Sequence, residues 1–134
     1  MADITAANVS VDTSSAQFAV QIPDLVAGEA LTAGACVYIK SDGKVWLADG
    51  SAADALAGFV GIVSKAYAVG RACTVWGTGT RMRYAAGMTP GTPLFLSATA
   101  GALADAATTG GVRPIARAIT ATDIMIISMS GGAV

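Results

Sequence analysis

The chain contains no histidine. The most common general base and metal ligand at neutral pH is therefore missing, and neither a Ser-His-Asp nor a Cys-His arrangement can be assembled. Only two cysteines occur, Cys36 and Cys73, and without histidine they do not make a zinc site of usual composition. Aromatic residues are 6% of the chain and charged residues 13%, about half the usual charged share. A solvated monomer generally carries more charge than this. The shortfall points to a surface that partner subunits cover. Eight basic and nine acidic side chains give a net charge of −1 and lie scattered along the chain. No basic block exists to neutralise phosphates, which argues against nucleic acid as a partner.

Two further absences bear on location. The opening Met1-Ala2-Asp3-Ile4-Thr5 has no basic region followed by an apolar core, so no signal peptide is expected. The longest charge-free run, between Arg83 and Asp105, holds Gly87, Pro90, Gly91, Pro93 and Gly101, breakers that a membrane-spanning helix hardly tolerates. The expectation is a protein made in the cytoplasm and not held in a membrane. In that reducing setting Cys36 and Cys73, each in a strand-like run, read as small buried hydrophobes and not as a disulfide.

What the chain does have is β-like segments punctuated by glycine and proline. Its 134 residues suit one domain. A chain of that size buries roughly two-thirds of its unfolded surface and needs no disulfide or metal to fold. Alternation or short apolar runs predict strands over Ala16 to Ile22, Val37 to Lys40, Lys44 to Leu47, Phe59 to Ser64, Thr74 to Trp76, Thr80 to Tyr84, Leu94 to Ser97, Ile115 to Ile119 and Ile124 to Met129. Phe59 to Ser64 is apolar on both faces, as a central strand would be. Ser41-Asp42-Gly43 is a hairpin signal between two of these runs. Short helical turns are candidates only at Ser51 to Leu56 and at Ala102 to Ala107.

An internal repeat stands out. Thr32-Ala33-Gly34-Ala35-Cys36-Val37-Tyr38-Ile39 matches Thr89-Pro90-Gly91-Thr92-Pro93-Leu94-Phe95-Leu96, and each copy continues to a Gly-x-aliphatic step, Gly43-Lys44-Val45 and Gly101-Ala102-Leu103. Each copy is a glycine turn feeding a hairpin whose aromatic lies between two aliphatics. The expected fold is all-β: a compact antiparallel β-barrel or β-sandwich built on this hairpin duplication. Residues 24–134 form its single domain. Residues 1–23 differ in kind, rich in Ala, Ser, Thr and Val, and read either as a frayed tail or as an extended arm that becomes ordered on a neighbouring subunit.

Candidate chemistry is sparse. Asp42, Asp49, Asp54 and Asp105 lie in turn-rich segments, where aspartate is explained by hydrogen bonds to nearby amides. Gly77-Thr78-Gly79-Thr80-Arg81 lacks the ending of a phosphate loop and a following helix, and reads as a hairpin turn. Arg81 and Arg83 share a strand face, and Arg113 and Arg117 bracket another strand start. They are either a solvated face or a set of guanidiniums for an acidic partner. Trp46 and Trp76 end strand-like runs and are core by default, interface anchors if exposed.

The segments Ala27-Gly28-Glu29-Ala30-Leu31-Thr32-Ala33-Gly34, Gly58-Phe59-Val60-Gly61-Ile62-Val63 and Gly87-Met88-Thr89-Pro90-Gly91-Thr92-Pro93-Leu94-Phe95-Leu96-Ser97 resemble the small head decoration, or cement, proteins of tailed bacteriophages. The pattern is glycines and aliphatics without an invariant chemical group. The resemblance implies a protein of the virion, on the outer surface of the capsid, made in the host cytoplasm. It implies a homotrimer that bridges the major capsid protein and reinforces its lattice, with no catalytic residue, cofactor or metal. The candidate interface residues are Val9, Val11, Phe18, Trp46, Trp76, Arg81, Arg83, Arg113 and Arg117. The alternatives are another virion part, a tail or fibre subunit, or a ligand-binding β module in which two of the aspartates converge.

Overall fold

The computed structural model describes residues 3–7, 9–11, 21–51 and 58–127. Twelve strands lie among them: β1 (Asp3–Ile4), β2 (Ser10–Val11), β3 (Gln21–Val26), β4 (Cys36–Ile39), β5 (Val45–Leu47), β6 (Phe59–Ile62), β7 (Ala72–Trp76), β8 (Arg81–Arg83), β9 (Pro93–Leu96), β10 (Leu103–Ala104), β11 (Ala116–Ala118) and β12 (Asp123–Ile126). There is no helix among the described residues.

The strands form two antiparallel sheets. One has seven strands in the order β1-β10-β9-β11-β12-β8-β2, the other five in the order β3-β7-β6-β4-β5. Neither is closed into a barrel, so the architecture is sandwich-like. Just past β3, Ala27 forms a parallel bridge with Val45 of β5, and the Gly28 N–H donates to the Val45 carbonyl at 2.8 Å.

Period-two alternation decides which side chains fill the space between the sheets. Met82, Leu94, Leu96, Ala116, Ala118, Ile124 and Ile126 point inward from the larger sheet. Cys36, Tyr38, Phe59 and Ile62 meet them from the smaller one. The opposite face of the smaller sheet is also apolar. Val37, Val45, Val63, Cys73 and Val75 build a second core there, closed over by Ala27, Leu31 and Ala35. Leu31 and Tyr67 exchange two backbone hydrogen bonds of 2.9 Å that hold this cover down. The two-faced apolar run of Phe59–Ile62 is thereby explained, because β6 lies between β7 and β4 with a core on either side.

The two copies of the repeat occupy matching places, one in each sheet. Thr32 to Ala35 and Thr89 to Thr92 are turns closed by Ala35 N–H to Thr32 O at 3.1 Å and Thr92 N–H to Thr89 O at 3.2 Å. Gly34 and Gly91 sit third in these turns with φ of 86° and 87°. That is the left-handed position of a type II turn, which glycine takes without steric cost. The hairpins that follow, β4–β5 and β9–β10, pair antiparallel.

Three expectations are corrected. Ala102 to Ala107 is not helical: Leu103–Ala104 pairs with β9 on one side and with Asp3–Ile4 on the other. The boundary after residue 23 falls inside β3, whose bulge places Asp24 at φ 63°. Of the N-terminal arm, the described parts are edge strands of this chain's own larger sheet, Asp3–Ile4 on β10 and Ser10–Val11 on β8. Each pairs on one side with a strand of this chain. The rest of the helical turn proposed from Ser51, and residues 16–20 of the strand proposed from Ala16, lie outside the described residues; Gln21 and Ile22 of that strand begin β3.

Candidate interaction surface

Alternation in Arg81-Met82-Arg83 sends Met82 into the core between the sheets, where it is 1% exposed, and sends both arginines to the outer face of the larger sheet. The neighbouring strands do the same. Arg117 is the outward residue of β11, Asp123 and Met125 those of β12, Pro93 and Phe95 those of β9. Register then sets who stands beside whom. Arg81, Met125, Arg117 and Pro93 form one row across four strands. Asp123, Arg83 and Ser10 form the next.

Each charged group on this face has a defined setting. Arg81 Nε donates to Asp123 Oδ2 at 3.0 Å, a diagonal cross-strand pair that leaves the arginine side chain 54% exposed. The other carboxylate oxygen accepts from Thr122 Oγ1 at 2.9 Å. Arg83, directly opposite Asp123 in the register, is exposed and makes no ion pair among the described residues. Arg117 Nη1 donates to the Gly91 carbonyl at 2.7 Å, tying the β11 arginine to the turn of the second repeat. Arg113 is exposed in the segment before β11, beside Val112, which is also exposed. Arg81, Arg83 and Arg117 are thus brought together by the sheet, whereas Arg113 is not part of the strand register.

The remaining candidates lie elsewhere. Val9 is half-buried and packs against the core between the sheets. Val11 pairs by its backbone with Met82, while its side chain and all of Phe18 are outside the described residues. Trp46 is half-buried and enclosed. Its indole lies against the Gly28 backbone, the Lys40 ammonium sits 4.3 Å from the ring centre, and its Nε1 donates to the Asp42 carboxylate at 3.3 Å. Trp76 is half-buried against the same core and donates from Nε1 to Ser64 Oγ at 3.1 Å. Both tryptophans are thus tied down locally, Trp46 by Asp42 and Trp76 by Ser64.

The aspartates serve their own turns. Asp42 accepts the Lys44 N–H at 2.9 Å, and this bond, with smaller help from Trp46 and from the charges of Lys44 and Lys40, holds its carboxyl below the usual range. Asp49 accepts both the N–H and the hydroxyl of Ser51. Asp105 is exposed just after β10. Asp54 lies outside the described residues. A cleft of about 360 Å³ runs between the first turn of the first repeat, the turn joining β9 to β10 and the N-terminal segment, with Asp3, Thr32, Tyr84 and Gly101 on its walls. Asp3 there accepts from the buried Ser97 hydroxyl, and burial pushes the Tyr84 phenol far up, so it stays protonated. Among the described residues no group of three or more potential metal ligands converges, and no helix is long and apolar enough to cross a membrane.

Sequence reasoning found the arginines of this face and missed Asp123 and Met125. Their signal was present in Asp123-Ile124-Met125-Ile126, whose alternation separates two outward from two inward residues. Compared with protein-family models and with characterised proteins, the chain matches none.

Proposed function

We propose that this protein is a head decoration, or cement, protein of a tailed bacteriophage. It binds the outer surface of the capsid as a homotrimer and stabilises the lattice of the major capsid protein. The observation that carries the adhesive half of the reading is the outer face of the larger sheet. A chain with only eight basic residues places three of them there, in register across adjoining strands. The choice of the phage head rests on the resemblance of the segments around Gly34, Gly61 and Gly91. A trimer touching several capsid subunits at once gains avidity without any single large contact, because each later contact forms at high effective concentration. The same low-charge surface that is costly for a free monomer is then covered.

The test is co-sedimentation with expanded heads that lack the protein. Saturable binding and a higher melting temperature of the heads are expected. Binding to isolated tails or fibres with none to heads would assign the chain to another part of the virion.

A further inference from the structure

Building on the reading of the chain as an adhesive subunit, we infer that the outer face of the seven-stranded sheet is the docking face, and that its partner is a carboxylate-bearing protein surface gripped by Arg83, Arg81 and Arg117. Charge is the first argument. The chain as a whole is −1, yet among the described residues this face carries three guanidiniums against two carboxylates, Asp123 in their midst and Asp3 at the β1 edge, in the row of Ala104 and Phe95. All three lysines lie away from the face: Lys40 and Lys44 in the β4–β5 hairpin and Lys65 after β6. Composition is the second. Arginine, methionine and aromatic residues are enriched at protein interfaces and lysine is depleted. The face presents Arg81, Arg83 and Arg117 with Met125 between two of them and Phe95 on β9.

Geometry is the third argument. Strand spacing puts Arg81 and Arg83 about 7 Å apart along β8, and Arg117 about 10 Å away, two strands over. Arg117 and Arg81 are held by the Gly91 carbonyl and by Asp123. Each guanidinium has five N–H donors, so both keep donors for a partner while losing little freedom on binding. Arg83 makes no ion pair or side-chain hydrogen bond among the described residues, the nearby Asp123 carboxylate being bonded to Arg81 and Thr122. A nucleic-acid strand is the less fitting occupant. Three basic groups neutralise few phosphates, and Asp123 in their midst repels them.

Two measurements decide it. In the first, binding to expanded heads is followed from about 0.1 to about 1 M NaCl, over which the screening length falls from about 10 to about 3 Å. Wild-type affinity should fall with salt. Arg83→Glu should weaken binding roughly tenfold, Arg81→Glu/Arg83→Glu/Arg117→Glu should abolish it, and Asp123→Asn should strengthen it. Amide spectra establish that each variant is folded. Retention of the triple variant at wild-type affinity would overturn the docking face while leaving head binding intact. In the second, arginine side-chain resonances are mapped with a short poly-glutamate peptide and, separately, with a DNA duplex. Shifts of Arg81, Arg83 and Arg117 with poly-glutamate, lost at high salt, support the inference even if no head binding is found. Absence of those shifts, or larger ones with the duplex, overturns it.

Discussion

Single atoms decide much in this fold because two layers of backbone come very close. Gly34 and Gly91 hold equivalent places in their turns, with φ of 86° and 87°. Alanine at either position carries about 1 kcal/mol or slightly more of left-handed strain. Around Gly91 nothing lies within 4 Å of where a Cβ would be, whereas at Gly34 that atom would sit 2.8 Å from Ala6 Cβ and 3.0 Å from Val9 Cγ2. Gly91→Ala should therefore cost only the strain. Gly34→Ala should cost that plus about 1–3 kcal/mol of overpacking. Urea melts of the two variants measure the difference, and equal losses would mean that the N-terminal segment is not packed on the turn.

A second residue-scale effect is alkaline lability. Burial pushes the Cys36 thiol well above its usual 9.0. It does the same to the Tyr84 phenol above its usual 10.0, with the nearby Cys36 and Asp3 adding to the shift. In the unfolded chain both groups lose their protons near the usual values, while the folded chain keeps them. The native pKa is the raised one, so the stabilisation is complete below about pH 9 and declines as pH rises beyond it. Each group adds up to about 1.4 kcal/mol per pH unit to that decline. Unfolding free energy followed by denaturant melts should be level near pH 8 and steepen twice, first for the thiols, since burial raises Cys73 as well as Cys36, and then for Tyr84. Tyr84→Phe should remove the second steepening, and a flat profile through pH 11 would refute the account.

At the scale of elements, the β4–β5 hairpin shows how a turn residue and a clasp cooperate. Asp42 organises Ser41-Asp42-Gly43 through the Lys44 N–H and also anchors the Trp46 indole, which Gly28 and Lys40 enclose. Asp42→Ala should lower the melting temperature and move tryptophan emission to the red as the ring loosens. Trp46→Phe provides the control that assigns the emission change. The hairpin itself was legible in the sequence, because Ser41-Asp42-Gly43 separates two alternating runs. So was β8, from Arg81-Met82-Arg83. The two-residue strands were not, since Asp3–Ile4 and Ser10–Val11 are too short to display a period. Leu103–Ala104 was drawn toward helix by its alanines, and tertiary pairing on both sides overrode that propensity. The candidate face was half legible. Alternation places Arg81 with Arg83, but Arg117 joins them only through β12, and strand order leaves no trace in a period-two pattern.

Across the whole molecule, two cores share one sheet. β4 contributes Cys36 and Tyr38 to the core between the sheets and Val37 to the second core; Phe59 and Ile62 serve the first, and Val63, which follows β6, the second. Neither core can lose order without freeing strands that wall the other, so the two should melt together. Leu94 belongs to the first core and Leu31 to the second, both essentially buried. Leu94→Ala and Leu31→Ala should each cost about 2–5 kcal/mol, by lost transfer energy and by the cavity left behind. Both should shift a single denaturant transition with an unchanged slope, since the surface exposed on unfolding is that of the entire domain. A biphasic curve for Leu31→Ala alone would show that the cover formed by Ala27, Leu31 and Ala35 opens separately. In that case the smaller sheet would lose one wall while the larger sheet kept its order. The basic outer face, which is built entirely on the larger sheet, would then survive the first transition, and only a single cooperative transition would tie its geometry to both cores.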